Sequence, residues 1–261
     1  MDQPEIEAVD VVPYELRRFQ PFTVTLFSKS ERTKYVEDKK DRTLARELTG
    51  APWRPIIAIN KAYRIRLSIF LHSGGGEAVR LSEWECFLDR LNKADIETNI
   101  YVPVAALSAG ARVLMKCARR YVTPSTNIYF HSSGCRFSTV EEAQRQLAAM
   151  RGRDKLKLVG GRERVYLLCE DDIRFNRAQI TSLAQGQSDA HARLRKRVDQ
   201  VFADPSLPRD DLWVNGQELH ELGEVDLVRD ITAMKALFIS NVGPEAQGKW
   251  DELETMIRQH P

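Results

Sequence analysis

The stretch Ile69–Gly134, IFLHSGGGEAVRLSEWECFLDRLNKADIETNIYVPVAALSAGARVLMKCARRYVTPSTNIYFHSSG, decides the fold. Its approach, Tyr63–Leu71, alternates Ile65, Leu67, Ile69 and Leu71 with Arg64, Arg66, Ser68 and Phe70, a period of two that predicts a strand. Gly74, Gly75 and Gly76 follow, and three residues without Cβ permit a tight turn with exposed main-chain N–H groups. Glu77–Lys93 places Val79, Trp84, Phe87, Leu88 and Leu91 on one helical face. Thr98–Ala106 predicts a second strand. Ala109–Arg119 predicts a second helix, with Val113, Leu114 and Cys117 inward. Tyr121–Thr123 and Asn127–His131 read as short strands separated by Pro124. Strand, helix, strand, helix in that order predicts an α/β core with helices packed on a largely parallel sheet.

Ser108 falls where the second strand gives way to its helix, in VPVAALSAGARVL. A serine there stands at the sheet edge, close to the partial positive charge of a helix N-terminus. Ala109, Gly110 and Ala111 leave room for a substrate backbone, and the Ala109 amide is a candidate donor to an oxyanion. The plain alternative is that Ser108 only caps the helix. His131 ends the strand NIYF and is the candidate general base; His72, before the triple glycine, competes with it. A third group should orient the imidazole, and Asp211 is the candidate, with Asp210 and Asp204 as rivals.

Outward from this centre the sequence is less regular. Residues 1 to about 20 read as an arm or an irregular lead-in, FTVTLF (Phe22–Phe27) as a strand, and Ser28–Leu48 as an exposed helix or mobile segment ended by Gly50, Pro52 and Pro55. Pro55–Asn60 reads as a short strand. Beyond Gly134, Val140–Met150, Glu170–Ala184 and His191–Phe202 predict a long, mostly helical insertion closed by PSLP. DLWVNGQELHELGEVDLV reads as turn, short helix and short strand. The tail from Ile231 holds the apolar MKALFIS and a helix over Ala246–Arg258.

A chain of 261 residues with 43% hydrophobic and 29% charged residues suits one soluble domain with additions. A net charge of +2 gives no bulk field toward nucleic acid or acidic membranes, and the basic clusters 151–157 and 193–197 read as solvated helix faces. The apolar runs are too short to cross a bilayer and MDQPEIEAVD is not a secretory leader, so a cytoplasmic setting is expected. Cys86, Cys117, Cys135 and Cys169 form no CxxC pair, which suggests packing thiols and no zinc site. The glycines match neither GxxxxGK[ST] nor GxGxxG, so no nucleotide or other cofactor is expected.

LHSGGG, AALSAGA, TPSTNIYFH and DLWVNGQELHELGEVDLV together resemble the proteolytic subunit of the Clp protease, in the superfamily that also holds signal peptide peptidase A and the crotonases. The resemblance spans about Arg64–Val228. It implies a spiral of β-β-α units over 56–230, a handle insertion over 135–205, an N-terminal extension over 1–55 and a tail over 231–261. It matches Ser108 to the nucleophile, His131 to the base, Asp211 to the orienting acid, and Gly75 and Ala109 to the oxyanion donors. A serine peptidase acting on peptides or unfolded protein in a homo-oligomeric ring is implied, with an AAA+ ATPase as a possible partner. Gly74 replaces the family's proline, and Val104 and Leu107 are bulkier than its usual residues. The alternatives are an inactive assembly module and a crotonase-type acyl-CoA enzyme. A serine–lysine signal-peptide hydrolase fits less well, given His131 and the absence of a membrane segment.

Overall fold

The computed structural model describes residues 23–30, 65–75, 78–149, 156–160, 165–204, 209–244 and 246–259. The expected arm, all of the charged segment 28–48 but its first three residues, and the short strand 55–60 lie outside the described residues. The chain divides into two compact units, one drawn from the sequence up to Asn127 with Asn215–His220 and the stretch from Val225, the other from Ile128–Val214 and Glu221–Glu224.

The first unit is built on a sheet of β1 (Thr23–Ser30), β2 (Ile65–His72), β3 (Glu97–Val102), β5 (Arg119–Val122) and β11 (Asp226–Leu227), in that spatial order. All neighbours run parallel except β1, which lies antiparallel to β2. The parallel register sets Phe70 opposite Tyr101 and Tyr101 opposite Tyr121. Parallel strands are covered on both faces, so the inner parts of β2 (Ile69–Leu71) and β3 (Ile100–Val102) are apolar at every position. Ile69, Leu71, Ile100 and Val102 are fully buried on one face, and Phe70 and Tyr101 on the other.

Helices α1 (Ala78–Lys93) and α2 (Ala109–Lys116) follow β2 and the short strand β4 (Ala105–Leu107). The expected strand Thr98–Ala106 is thus two strands, broken at Pro103. The break is held from outside: the Thr126 hydroxyl donates to the Val102 carbonyl (2.9 Å) and the Thr123 hydroxyl to that of Pro103 (3.0 Å). The segment expected as a tail forms α7 (Ile231–Val242) and α8 (Ala246–Gln259) and supplies core. Phe238 and Trp250 meet Phe70 and Tyr101 at centroid distances of 5.0–6.4 Å. Each such buried aromatic contributes about 2 kcal/mol of burial free energy.

In the second unit, β6 (Asn127–Phe130) lies beside β10 (Leu212–Asn215); α6 (Gly216–Glu221), next in sequence, falls mostly in the first. The stretch expected to be mostly helical instead opens with an antiparallel sheet, β7 (Gly134–Phe137), β9 (Val165–Cys169) and β8 (Leu156–Gly160) in that order. Cross-strand pairing decides the conformation there, because short segments such as LKLVG and VYLLC carry no helical period. The expected helices form as α3 (Val140–Ala149), α4 (Glu170–Leu183) and α5 (Asp189–Ala203), the last capped by Ser188, whose hydroxyl accepts from the His191 amide.

No described helix is long and apolar enough to cross a membrane, and the described residues hold no group of His, Cys, Asp or Glu suited to a metal ion. Cys86, Cys117 and Cys169 are free thiols, and burial pushes that of Cys117 up to about 12.

Candidate active site

The five nominated residues fall into two groups: Gly75, Ser108 and Ala109 in the first unit, His131 and Asp211 in the second.

Ser108 joins β4 to α2 with φ 57° and ψ −114°. A non-glycine residue held there stores about 1–3 kcal/mol of strain and persists only where its surroundings enforce it. Its hydroxyl makes no capping hydrogen bond to the helix, which removes the plain capping reading. Three pieces of main chain enforce the turn. Ser73, fully buried, donates its amide to the Ala105 carbonyl (3.0 Å), and its carbonyl accepts from the Leu107 amide (2.9 Å). A Cβ on Gly110 would lie 2.8 Å from that of Ser73, so the first turn of α2 fits only because Gly110 lacks one. Gly75 (φ 117°) stands so close that a Cβ there would be 3.1 Å from Ser108 Cβ and 3.6 Å from its Oγ.

Helix α2 is also tied to α1: Arg112 meets Glu85 as a fork (2.9 and 3.0 Å), and Lys116 meets Asp89 at 2.7 Å. The Ala109 amide, at the first helical position, has no intrahelical partner and is free by position to meet an anion. The Gly75 amide donates to Ser73 Oγ at 3.1 Å. Rotation of the Gly74–Gly75 peptide is therefore needed before it meets a substrate. His72, the competing base, ends β2 with Thr23 opposite in register.

His131 follows β6 directly. Its Nδ1 lies 2.8 Å from the Ser132 carbonyl oxygen. A carbonyl only accepts, so the tautomer that uses this contact carries its proton on Nδ1 and leaves Nε2 the lone pair with which a base takes a proton. Nη2 of Arg209 lies against both ring nitrogens and is 2.7 Å from Nε2. Burial, and then the Arg209 charge, lower the imidazole pKa to about 4.

Asp211 accepts from the hydroxyl of Tyr129, two residues ahead of His131 and so on the same side of β6. Burial, and then Asp211, hold the Tyr129 hydroxyl protonated well above its usual range. Its ring leans on His131 (4.8 Å, 40°) and stacks on Trp213 (4.3 Å, 20°), a tryptophan left half exposed. The rival Asp210 is buried and bound bidentately by Arg177 (2.8 Å each), while Asp204 caps α5. Tyr129 and Arg209 are the residues that sequence reasoning missed. A period of two counted back from His131 could have flagged Tyr129; no local signal marks Arg209.

No family model matches the sequence, and no curated protein matches it. Among solved structures, a ClpP1 mutant from Listeria monocytogenes is similar over 73% of this chain and 87% of its own, at 14% identity and a TM-score of 0.40. Similarity at that level assigns no role to any residue.

Proposed function

We propose that this chain is a serine-type peptidase acting on peptides or unfolded protein within a Clp-like ring of identical subunits. Ser108 Oγ attacks the scissile carbonyl while Nε2 of His131 takes its proton. The Ala109 amide binds the tetrahedral oxyanion, joined by that of Gly75 once it leaves Ser73. Asp211 stabilises the imidazolium, and Nε2 then returns the proton to the leaving amine.

One observation carries this reading: Ser108 occupies a strained strand-to-helix turn with its hydroxyl spared from helix capping. That geometry serves a nucleophile and has no evident use in a cap. A second reading, an assembly module without activity, is favoured by Arg209 standing on Nε2 of the base. A fluorophosphonate probe separates the two. Covalent labelling that disappears in Ser108→Ala supports the peptidase; no labelling of the assembled protein supports the module.

A further inference from the structure

Among the described residues, the guanidinium of Arg209 hydrogen-bonds only to neutral groups. Its Nε donates to the Ser132 carbonyl (3.2 Å), Nη2 lies against both Nδ1 and Nε2 of His131 (2.7 Å from the latter), and its carbon stands 5.7 Å from the centre of the Tyr166 ring. The main chain fixes its base, since the Ser132 amide donates to the Arg209 carbonyl at 2.8 Å. Neighbouring acids are engaged elsewhere: Asp210 by Arg177, Asp211 by Tyr129, and Asp172 by the Ser133 amide. Among the described residues no carboxylate pairs with Arg209. A half-buried guanidinium held by an imidazole and a carbonyl keeps room for a stronger partner, because a carboxylate matches the fork bidentately and binds about twice as strongly.

We propose that Arg209 reads a carboxylate on the substrate, placed on the leaving-group side of the scissile bond, and that this contact draws the guanidinium off Nε2 of His131. The side follows from the peptidase reading, on which the inference rests: Nε2 protonates the leaving amine, so a group beside Nε2 faces the leaving segment. Until the carboxylate arrives, the base's lone pair is occupied. Recognition and activation are then one event. The carboxylate is either an acidic side chain or a free C-terminus close to the cleaved bond.

Two measurements on the full chain test this. In the first, ¹⁵N-histidine NMR follows His131 during titration with acetate and, separately, acetamide. Acetate should shift Nε2 saturably and acetamide should not, and Arg209→Gln should abolish the response. In the second, matched peptides carry an acidic side chain with an amidated end, a neutral side chain with a free end, or neither. The favoured carboxylate should raise kcat/KM about tenfold or more, one charge-assisted hydrogen bond's worth. That ratio should collapse toward one in Arg209→Gln and be partly kept in Arg209→Lys. A merely structural loss would lower all three peptides equally and overturn the proposal. So would an acetate response that survives in Arg209→Gln, or its absence in the native protein even where peptides are cut. An acetate response lost in Arg209→Gln with no peptide cleaved supports the anion site and refutes only the peptidase.

Discussion

The turn that carries Ser108 and the pocket that holds His131 are made by different means. Around Ser108 the contacts are main chain against main chain, with Ser73 pinned to Ala105 and Leu107, and with Gly75 and Gly110 permitting approaches no side chain would allow. Around His131 the contacts are long side chains: Arg209 on the ring nitrogens, Tyr129 on Asp211, Trp213 stacked behind. Main chain locked by a sheet has one low-energy arrangement, whereas arginine and tyrosine side chains can be re-aimed by a ligand or a charge. The turn at Ser108 is therefore set in advance, save for the Gly74–Gly75 peptide, and the surroundings of His131 are the more adjustable.

The comparison breaks most severely at the proposed nucleophile, Ser108. Ser108→Ala should lower turnover by about 10⁴–10⁶, read in a peptide-hydrolysis assay, with little change in urea midpoint because the hydroxyl makes no capping bond. A fall of less than tenfold would mean that Ser108 is not the nucleophile. Gly75→Ala comes next. It forces a Cβ to 3.1 Å from that of Ser108 at φ 117°, and it displaces the amide proposed for the oxyanion. Turnover should fall by about 10²–10³ with KM nearly unchanged. Unchanged turnover would remove Gly75 from the site.

On the base side the largest lever is pH. His131 has a pKa of about 4 in the folded chain, against about 6.5 for an unperturbed histidine. Above pH 6.5 both states are neutral and the contribution to stability is complete. As pH falls below 6.5 the unfolded chain binds a proton that the folded site refuses, so stability declines until about pH 4 and levels off. The loss is about 3 kcal/mol, read as the difference between urea midpoints of native protein and His131→Gln across that window, which cancels other titrations. Parallel curves would show that the imidazole is not buried neutral.

The same difference in materials explains what the sequence revealed. β2, the glycines, α1, and the passage from β4 to α2 were legible because they depend on local period and on small residues at fixed spacing. The break at Pro103 was not, because the Thr123 and Thr126 hydroxyls that hold it lie 20 and 24 residues from their acceptors. Strands β7, β8 and β9 were missed since each is short and gains its conformation from partners. The apolar MKALFIS could be read as apolar, but only the sheet face bearing Phe70 and Tyr101 makes it core. Arg209 and His131 are brought together across 78 positions by side chains, and no spacing rule covers such a pair.

The smallest expected effect sharpens the comparison most, because it separates packing from polarity in the base pocket. Tyr129→Phe keeps the ring that leans on His131 and stacks on Trp213, and it removes only the hydroxyl that donates to Asp211. A hydrogen bond to a charged group contributes about 1.5–3 kcal/mol, and part of that returns if water reaches the freed carboxylate. Turnover should therefore fall about three- to tenfold, far less than for Gly75→Ala, since a side-chain site can readjust where a main-chain site cannot. The freed carboxylate also favours the charged imidazole, so the apparent pKa of His131 should rise, measurable by NMR titration. A rise in pKa with the fall in rate would show that the Tyr129 hydroxyl shares Asp211 with the imidazole and tempers its charge there. A fall in rate with no pKa change would mean that the hydroxyl serves packing alone, and that the pocket around His131 is as rigid as the turn around Ser108.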